Sequence, residues 1–279
     1  MIHNNSKINK KNPPILEFDK VGYKYQNFAA LSDITFSVHE GEKIVLLGAN
    51  GSGKSTLLKI IDGLVFADKG TYKAFGEIIN QKYFDIEKKS YDFRSKIGFV
   101  FQDSDVQLFS STVFDEVVFA PLHMGFDKNE ILQKTKSAMQ MMGIEHLSKR
   151  APYRLSGGEK KRVAIASVLS YSPAVWLFDE PTSGLDPRSQ SRLIDFIFEL
   201  NSMNNTVITA THNLSIVQDI ADRVIVLSEN HKIVADDIPE KILSDSDLLK
   251  KYNLIHEHIH RHRGKTHEHI HTHHLIHKH

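Results

Sequence analysis

Apolar and polar positions along the chain fall into short continuous apolar runs that alternate with longer amphipathic ones. "KIVLL" (43–47) reads as a buried strand; it leads directly into glycines and then into the helical run "STLLKIIDGL". Upstream, "ILEF" and "ITFSV" have strand character. "ILQKTKSAMQMMGI" carries its apolar residues at helical spacing, and the segment from about 110 to 150 reads as helical throughout. "AVWLFDE", "TVITATH" and "RVIVLSE" are three further buried strands. Strands alternating with helices predict an α/β domain with a largely parallel sheet and a helical insertion. Residues 1–14, polar and ending at Pro13-Pro14, are expected to be a disordered lead-in. Residues 237–255 read as a short helical appendix, followed by a histidine-rich tail at 256–279.

Composition narrows the function classes. The chain has 279 residues, with 35 Lys and Arg against 34 Asp and Glu, so bulk attraction to nucleic acid is not indicated. It has no cysteine, which excludes disulfides and thiolate metal sites and fits a reducing cytosol. No apolar run approaches the ~18 residues needed to span a bilayer, and the start lacks a signal-peptide core. Work at a membrane would therefore require another subunit to hold the protein there.

The glycine-rich turn carries the strongest chemistry. "GANGSGKS", Gly48-Ala49-Asn50-Gly51-Ser52-Gly53-Lys54-Ser55, followed by Thr56, matches G-x-x-x-x-G-K-[ST] between a strand and a helix. Glycines let backbone N–H groups curl around phosphate oxygens, and the following helix directs its positive end at them. Lys54 would reach the β- and γ-phosphates of a bound nucleotide, and the Ser55 hydroxyl would bind Mg²⁺. At the end of the strand "VWLFDE", Asp179 would hold Mg²⁺ and Glu180 would orient or deprotonate the attacking water. "LSGGE" (155–159) contains a capping box, Ser156 to Glu159, opening the helix "KKRVAIASVL"; its Gly157 and Gly158 expose N–H donors that suit a phosphate. The run "KKR" (160–162) reads as one solvated helix face.

With these motifs in this order, residues 15–236 resemble the ATP-binding cassette (ABC) family. The resemblance implies a P-loop α/β fold with a mixed β-sheet core, an N-terminal antiparallel β subdomain and a helical subdomain at about 103–172. It also implies that Tyr25 stacks on adenine, that Gln102 senses the γ-phosphate and Mg²⁺, and that His212 contacts the γ-phosphate. "SGLD", ending at Asp186, would cross to a second ABC ATPase subunit in a homodimer or heterodimer, with each ATP between one subunit's glycine-rich turn and the other's "LSGGE". Two departures from the family pattern are Glu159, where glutamine is common, and Asn213, where aspartate is frequent.

"VFQDSDVQLFSSTVFDEVVFAPLHMG" (100–125) and the appendix resemble ATPases of energy-coupling-factor importers. That resemblance implies a peripheral protein on the cytoplasmic side of the cell membrane, bound to an integral membrane coupling subunit and a substrate-binding membrane subunit. Leu108, Phe109, Val113, Phe114, Val117 and Val118 are candidates for the docking surface. In the tail, "HEHIH" occurs twice, and its spacings place histidines on one side of either a strand or a helix. His256, His258, His260, His262, His267, His269, His271 and His273 are candidate ligands for Ni²⁺ or Co²⁺. The tail is expected to be disordered without metal. Cobalt or nickel is accordingly the expected cargo, with a vitamin importer, or a soluble ABC ATPase without a membrane partner, as alternatives.

Overall fold

The computed structural model describes residues 12–262 and 265–271, with the backbone alone for 201–202, 256–262 and 265–271. Most of the proposed lead-in therefore lies outside the described residues. Two compact units emerge: one from the residues up to 61, 65–79 and those from 209 on, the other from 62–64 and 80–208.

The first unit begins with strands β1 (Leu16–Tyr25), β2 (Phe28–Val38) and β3 (Lys43–Gly48) and helix α1 (Lys54–Ile61). Strands β4 (Lys69–Ala74) and β5 (Glu77–Ile78) follow. β1 pairs antiparallel with both β2 and β4, and β4 with β5, giving an all-antiparallel sheet in the order β2-β1-β4-β5. Alternation along β1 places Leu16 and Phe18 on its buried face. Phe18 is stacked between Phe36 and Tyr72, with centroids 4.6 and 4.5 Å away. The Tyr72 hydroxyl donates to the Ile61 carbonyl at 3.0 Å, anchoring the end of α1 to this aromatic stack.

In the second unit, helices α2 (Gln81–Phe84) and α3 (Glu87–Lys96) precede strand β6 (Ile97–Val100). Four helices come next: α4 (Ser104–Gln107), α5 (Val113–His123), α6 (Lys128–Met141) and α7 (Gly157–Leu169). Strand β7 (Val175–Asp179), parallel to β6, and helix α8 (Pro187–Ser202) complete the unit. Val113, Val117, Ala138, Met139, Val163 and Ala166 join α5, α6 and α7 in one buried cluster. The apolar segment at 108–118 is thereby apportioned. Val113 and Val117 are core, Leu108 packs against that core, Val118 is half-buried, and Phe109 and Phe114 are exposed.

Strand β8 (Thr206–Thr211) returns the chain to the first unit, which continues with α9 (Leu214–Ile220), β9 (Arg223–Leu227) and β10 (Ile233–Asp237). β9 runs parallel to β3 and antiparallel to β10, so this sheet is mixed. Arg223 grips Asp236 with two bonds of 2.7 and 2.6 Å and also donates to the Ser37 carbonyl at 2.8 Å, tying β9 and β10 to the end of β2. Helices α10 (Pro239–Ser244) and α11 (Ser246–Lys251) follow. The tail, expected to be disordered without metal, instead carries two strands, β11 (His256–His262) and β12 (Lys265–His271), paired antiparallel. The period-two pattern of the two "HEHIH" copies matches a strand, which composition alone did not reveal.

Asp62 lies within electrostatic reach of Arg94 and Tyr171. The residue keeps some surface open, but its carboxyl is enclosed by protein, and burial pushes its pKa up to about 7 against the opposing pull of Arg94. The folded chain thus holds this proton more tightly than the unfolded one, so stability falls as pH rises from about 4 through 7. Asp62→Asn should therefore raise the melting temperature at pH 8 and leave it nearly unchanged at pH 4. Thermal unfolding at the two values checks the sign.

Candidate nucleotide site

In the first unit, the fully buried strand segment Ile44–Gly48 runs into the glycine-rich turn. A Cβ at Gly48 would lie 2.5 Å from Ser52 Oγ and 2.7 Å from the Leu227 carbonyl, so only glycine fits. Gly51 and Gly53 have φ of +82° and +107°, conformations that side chains strongly disfavour. Lys54 is buried, and its Nζ donates to the carbonyls of Gly48 at 2.8 Å and Ala49 at 3.1 Å, so the ammonium lies back across the turn. Ser52 Oγ is buried without a hydrogen-bond partner. Ala49 and Ser55 are half-buried, Asn50 is exposed and Thr56 buried. Tyr25 ends β1 with its ring exposed and edge-on to Tyr23 at 4.9 Å.

His212 follows β8 and is half-buried. The next residue, Asn213, accepts from Ser215 N at 3.0 Å and Ser215 Oγ at 2.7 Å and so caps α9. Asparagine and aspartate serve about equally as N-caps, which accounts for the Asn213 departure.

In the second unit, Asp179 ends β7 and Glu180 follows it, both buried. Glu180 has φ of +41°, a left-handed conformation uncommon for a non-glycine residue and characteristic of functional sites. Ser156 opens α7 with the expected capping box: Glu159 accepts from Ser156 N and Ser156 Oγ, each at 2.8 Å. The Ser156 bonds also hold the Glu159 carboxyl below the usual carboxylate range, so it stays charged. Gly157 has open space around it, and Gly158 approaches only Ser189 Oγ, at 3.8 Å from where a Cβ would lie. Asp186 accepts from Ser189 Oγ at 2.6 Å and from the backbone of Arg188 and Ser189, capping α8 and fixing the "SGLD" loop.

The run "KKR" departs from expectation. Lys160 pairs with Asp105 at 2.6 Å, but Lys161 is buried, and its Nζ donates to the carbonyls of Phe101 and Gln102, both at 2.8 Å. Burial lowers its pKa to about 8, opposed by Asp179 and Asp103. The helix face is therefore only partly solvated, because position 161 of α7 turns inward toward the strand end. Gln102 itself is exposed, so its backbone is pinned while its side chain remains at the surface. Lysine spacing gave no hint of this; the buried Ala164 and Ile165, three and four residues farther along α7, mark the inward face that Lys161 shares.

The turn fits a phosphate chain: its glycines leave space that a Cβ would fill, and a buried hydroxyl lacks a partner. Ser55 in the first unit, and separately Gln102 and Asp179 in the second, carry oxygen donors of the kind that suits Mg²⁺. Among the described residues, no group of three or more His, Cys, Asp or Glu is placed to hold a metal. The side chains of His256, His258, His260, His262, His267, His269 and His271 lie outside the described ones, and His273 lies outside the description altogether.

The family model for "ABC transporter" matches residues 31–183. This chain belongs to the ABC transporter ATPase family. The nickel import ATP-binding protein NikO of Rhodobacter capsulatus is 41% identical over 245 residues, covering 87% of this chain and 96% of that one. The energy-coupling factor transporter ATP-binding protein EcfA of Methanocaldococcus jannaschii is 39% identical, covering 86% and 85%. The structure of CbiO1 from Clostridium perfringens, part of the ABC transporter complex cbiONQ, superimposes with a TM-score of 0.73 at 35% identity, covering 87% and 96%. The protein is thus an ATP-hydrolysing transport ATPase resembling the energy-coupling-factor and nickel import ATP-binding subunits.

In this ABC ATPase, Lys161 is the residue that fixes the strand end bearing Gln102. Lys161→Met leaves two partly buried carbonyls without their donor, at a cost of about 1–3 kcal/mol. Urea unfolding should show a loss of that order together with reduced ATP turnover. Lys160→Met, which removes only a pair with exposed Asp105, should leave both nearly unchanged.

Proposed function

We propose that this protein powers uptake of cobalt or nickel ions as the ATPase of an energy-coupling-factor importer, peripheral on the cytoplasmic side of the cell membrane. The observation that carries the cargo is a histidine-rich tail on a chain that resembles a nickel import ATPase over nearly its whole length. In this reading the tail is a metal-binding arm for the same ions. No described helix is long and apolar enough to cross a membrane, so the translocation path belongs to other subunits. The exposed Phe109, Phe114 and Phe119 offer an apolar face to a helix of the membrane coupling subunit, with a substrate-binding membrane subunit completing the complex. The family pattern assigns no nucleic-acid partner, and the near balance of charges agrees.

The chemistry follows from residues already described. Backbone N–H groups of Gly51 to Ser55 and the start of α1 hold the phosphates, Lys54 swings from its two carbonyls to the β- and γ-phosphates, and Tyr25 supports the adenine. Mg²⁺, held by Ser55, Gln102 and Asp179, would neutralise charge on the β- and γ-oxygens. Glu180 orients and deprotonates the attacking water, and His212 contacts the γ-phosphate. The open amino end of α7, with Ser156, Gly157 and Gly158, closes on the γ-phosphate held by a second cassette, while Asp186 lies on the loop crossing to that partner. Closure then depends on the γ-phosphate and hydrolysis releases it, which converts chemistry into motion.

Two experiments test this reading. Glu180→Gln should retain nucleotide binding and lose ATP turnover by two or more orders of magnitude; near-normal hydrolysis would remove Glu180 as the base. In vesicles carrying the assembled complex, ATP should drive uptake of radioactive Co²⁺ or Ni²⁺. Accumulation of a vitamin and neither ion would replace the cargo while leaving the ATPase intact.

A further inference from the structure

The two C-terminal strands pair in a defined register: His256 opposes His271, His258 opposes His269, and His260 opposes His267. Positions two apart on a strand share a face, so these six histidines occupy one face of the hairpin as three cross-strand rungs. The alternate positions, Glu257 opposite Ile270, Ile259 opposite Glu268 and Arg261 opposite Thr266, form the other face. The pairing follows from the sequence. "HEHIH" has histidine at its first, third and fifth positions, so it keeps the same histidine positions when read backwards, and two antiparallel copies set histidine against histidine. His262 stands on the histidine face too, but opposite Lys265, so a cation there would face an ammonium.

We propose that this hairpin is a metal-binding ladder in which each of the three histidine pairs, His256/His271, His258/His269 and His260/His267, takes one d-block divalent cation across the strands. Directly opposed residues of an antiparallel pair have Cα atoms about 4.5–5.5 Å apart. An imidazole from each can bond a single ion, and metal–nitrogen bonds are about 2.0–2.1 Å for Zn²⁺. Neutral imidazole suits Ni²⁺, Co²⁺ and Zn²⁺. An isolated two-stranded hairpin is marginal in water. An ion bonded to both strands therefore couples its own binding to strand pairing and holds the register. The inference rests on the tail being a metal-binding arm, as argued above, and adds which histidines act together.

The test uses the full-length ATPase titrated calorimetrically with NiCl₂ and, separately, CoCl₂. Two double variants remove the same number of histidines in different arrangements. His256→Asn with His271→Asn deletes one rung and should leave about two thirds of the hairpin's share of the capacity. His256→Asn with His269→Asn breaks two rungs and should leave about one third of that share. His262→Asn should change the capacity little. Unimpaired ATP hydrolysis in each variant shows that the cassette is intact. Equal losses in the two double variants, or a loss from His262→Asn as large as from a rung histidine, would overturn the ladder and leave the tail as an ordinary chelating arm. Truncation after Ile255 that leaves metal binding unchanged would remove the metal-binding arm itself.

Discussion

A backbone can wrap around a triphosphate only where no side chain stands in the way, and the first unit is organised around that constraint. Gly48 sits too close to Ser52 and Leu227 for any Cβ, and Gly53 lies against the Ala30 carbonyl and Leu31 of β2 in a conformation that L side chains resist. The phosphate turn is therefore pressed between its own strand and the antiparallel sheet. That sheet holds the other end of α1 as well, through the Tyr72 hydroxyl on the Ile61 carbonyl. Loop, helix and the Phe18–Tyr72 stack form one mechanical body, which keeps N–H donors aimed before any ligand arrives. Donors fixed in advance need little reorganisation when charge builds up on a phosphate.

The second unit solves a different problem with one helix. The amino end of α7 stays open, with its cap supplied internally by Glu159 and Ser156. One turn on, Lys161 spends its hydrogen bonds on the backbone that carries Gln102. The open helix end and the backbone at Gln102 are thereby tied to one element, α7. The glutamate at 159 is compatible with this arrangement, because a charge held by two bonds from Ser156 is already committed to the cap.

The glycine turn, the acidic strand end and the capping box were legible in the sequence because each is a local pattern whose chemistry depends on spacing alone. What escaped was long-range. Three adjacent basic residues say nothing about which one a helix turns inward, and Lys161 acquires its role from a strand end 60 residues earlier. Likewise Val113, Phe114, Val117 and Val118 are equivalent in hydrophobicity. Only packing against α6 and α7 separates the core pair from exposed Phe114. Asp62 follows an apolar helix and reads as an ordinary polar terminus, yet its carboxyl is enclosed within electrostatic reach of Arg94 and Tyr171.

The tail shows how a period can be present in a sequence and still be ambiguous. "HEHIH" satisfies two templates, since i, i+2 neighbours share a strand face and i, i+4 neighbours share a helix face. The templates differ in how many histidines they use. A helix would put the first and fifth on one side and send the third to the other, because two residues turn it by about 200° at 3.6 residues per turn. A strand keeps all three together, and the duplication then supplies a second strand whose histidines fall opposite the first set. Glutamate and isoleucine alternate between the histidines and, in the paired register, oppose each other rather than their own kind, so no like charges face across that side of the hairpin. Both faces of the repeat are thus consistent with pairing, whereas only one is consistent with gathering imidazoles.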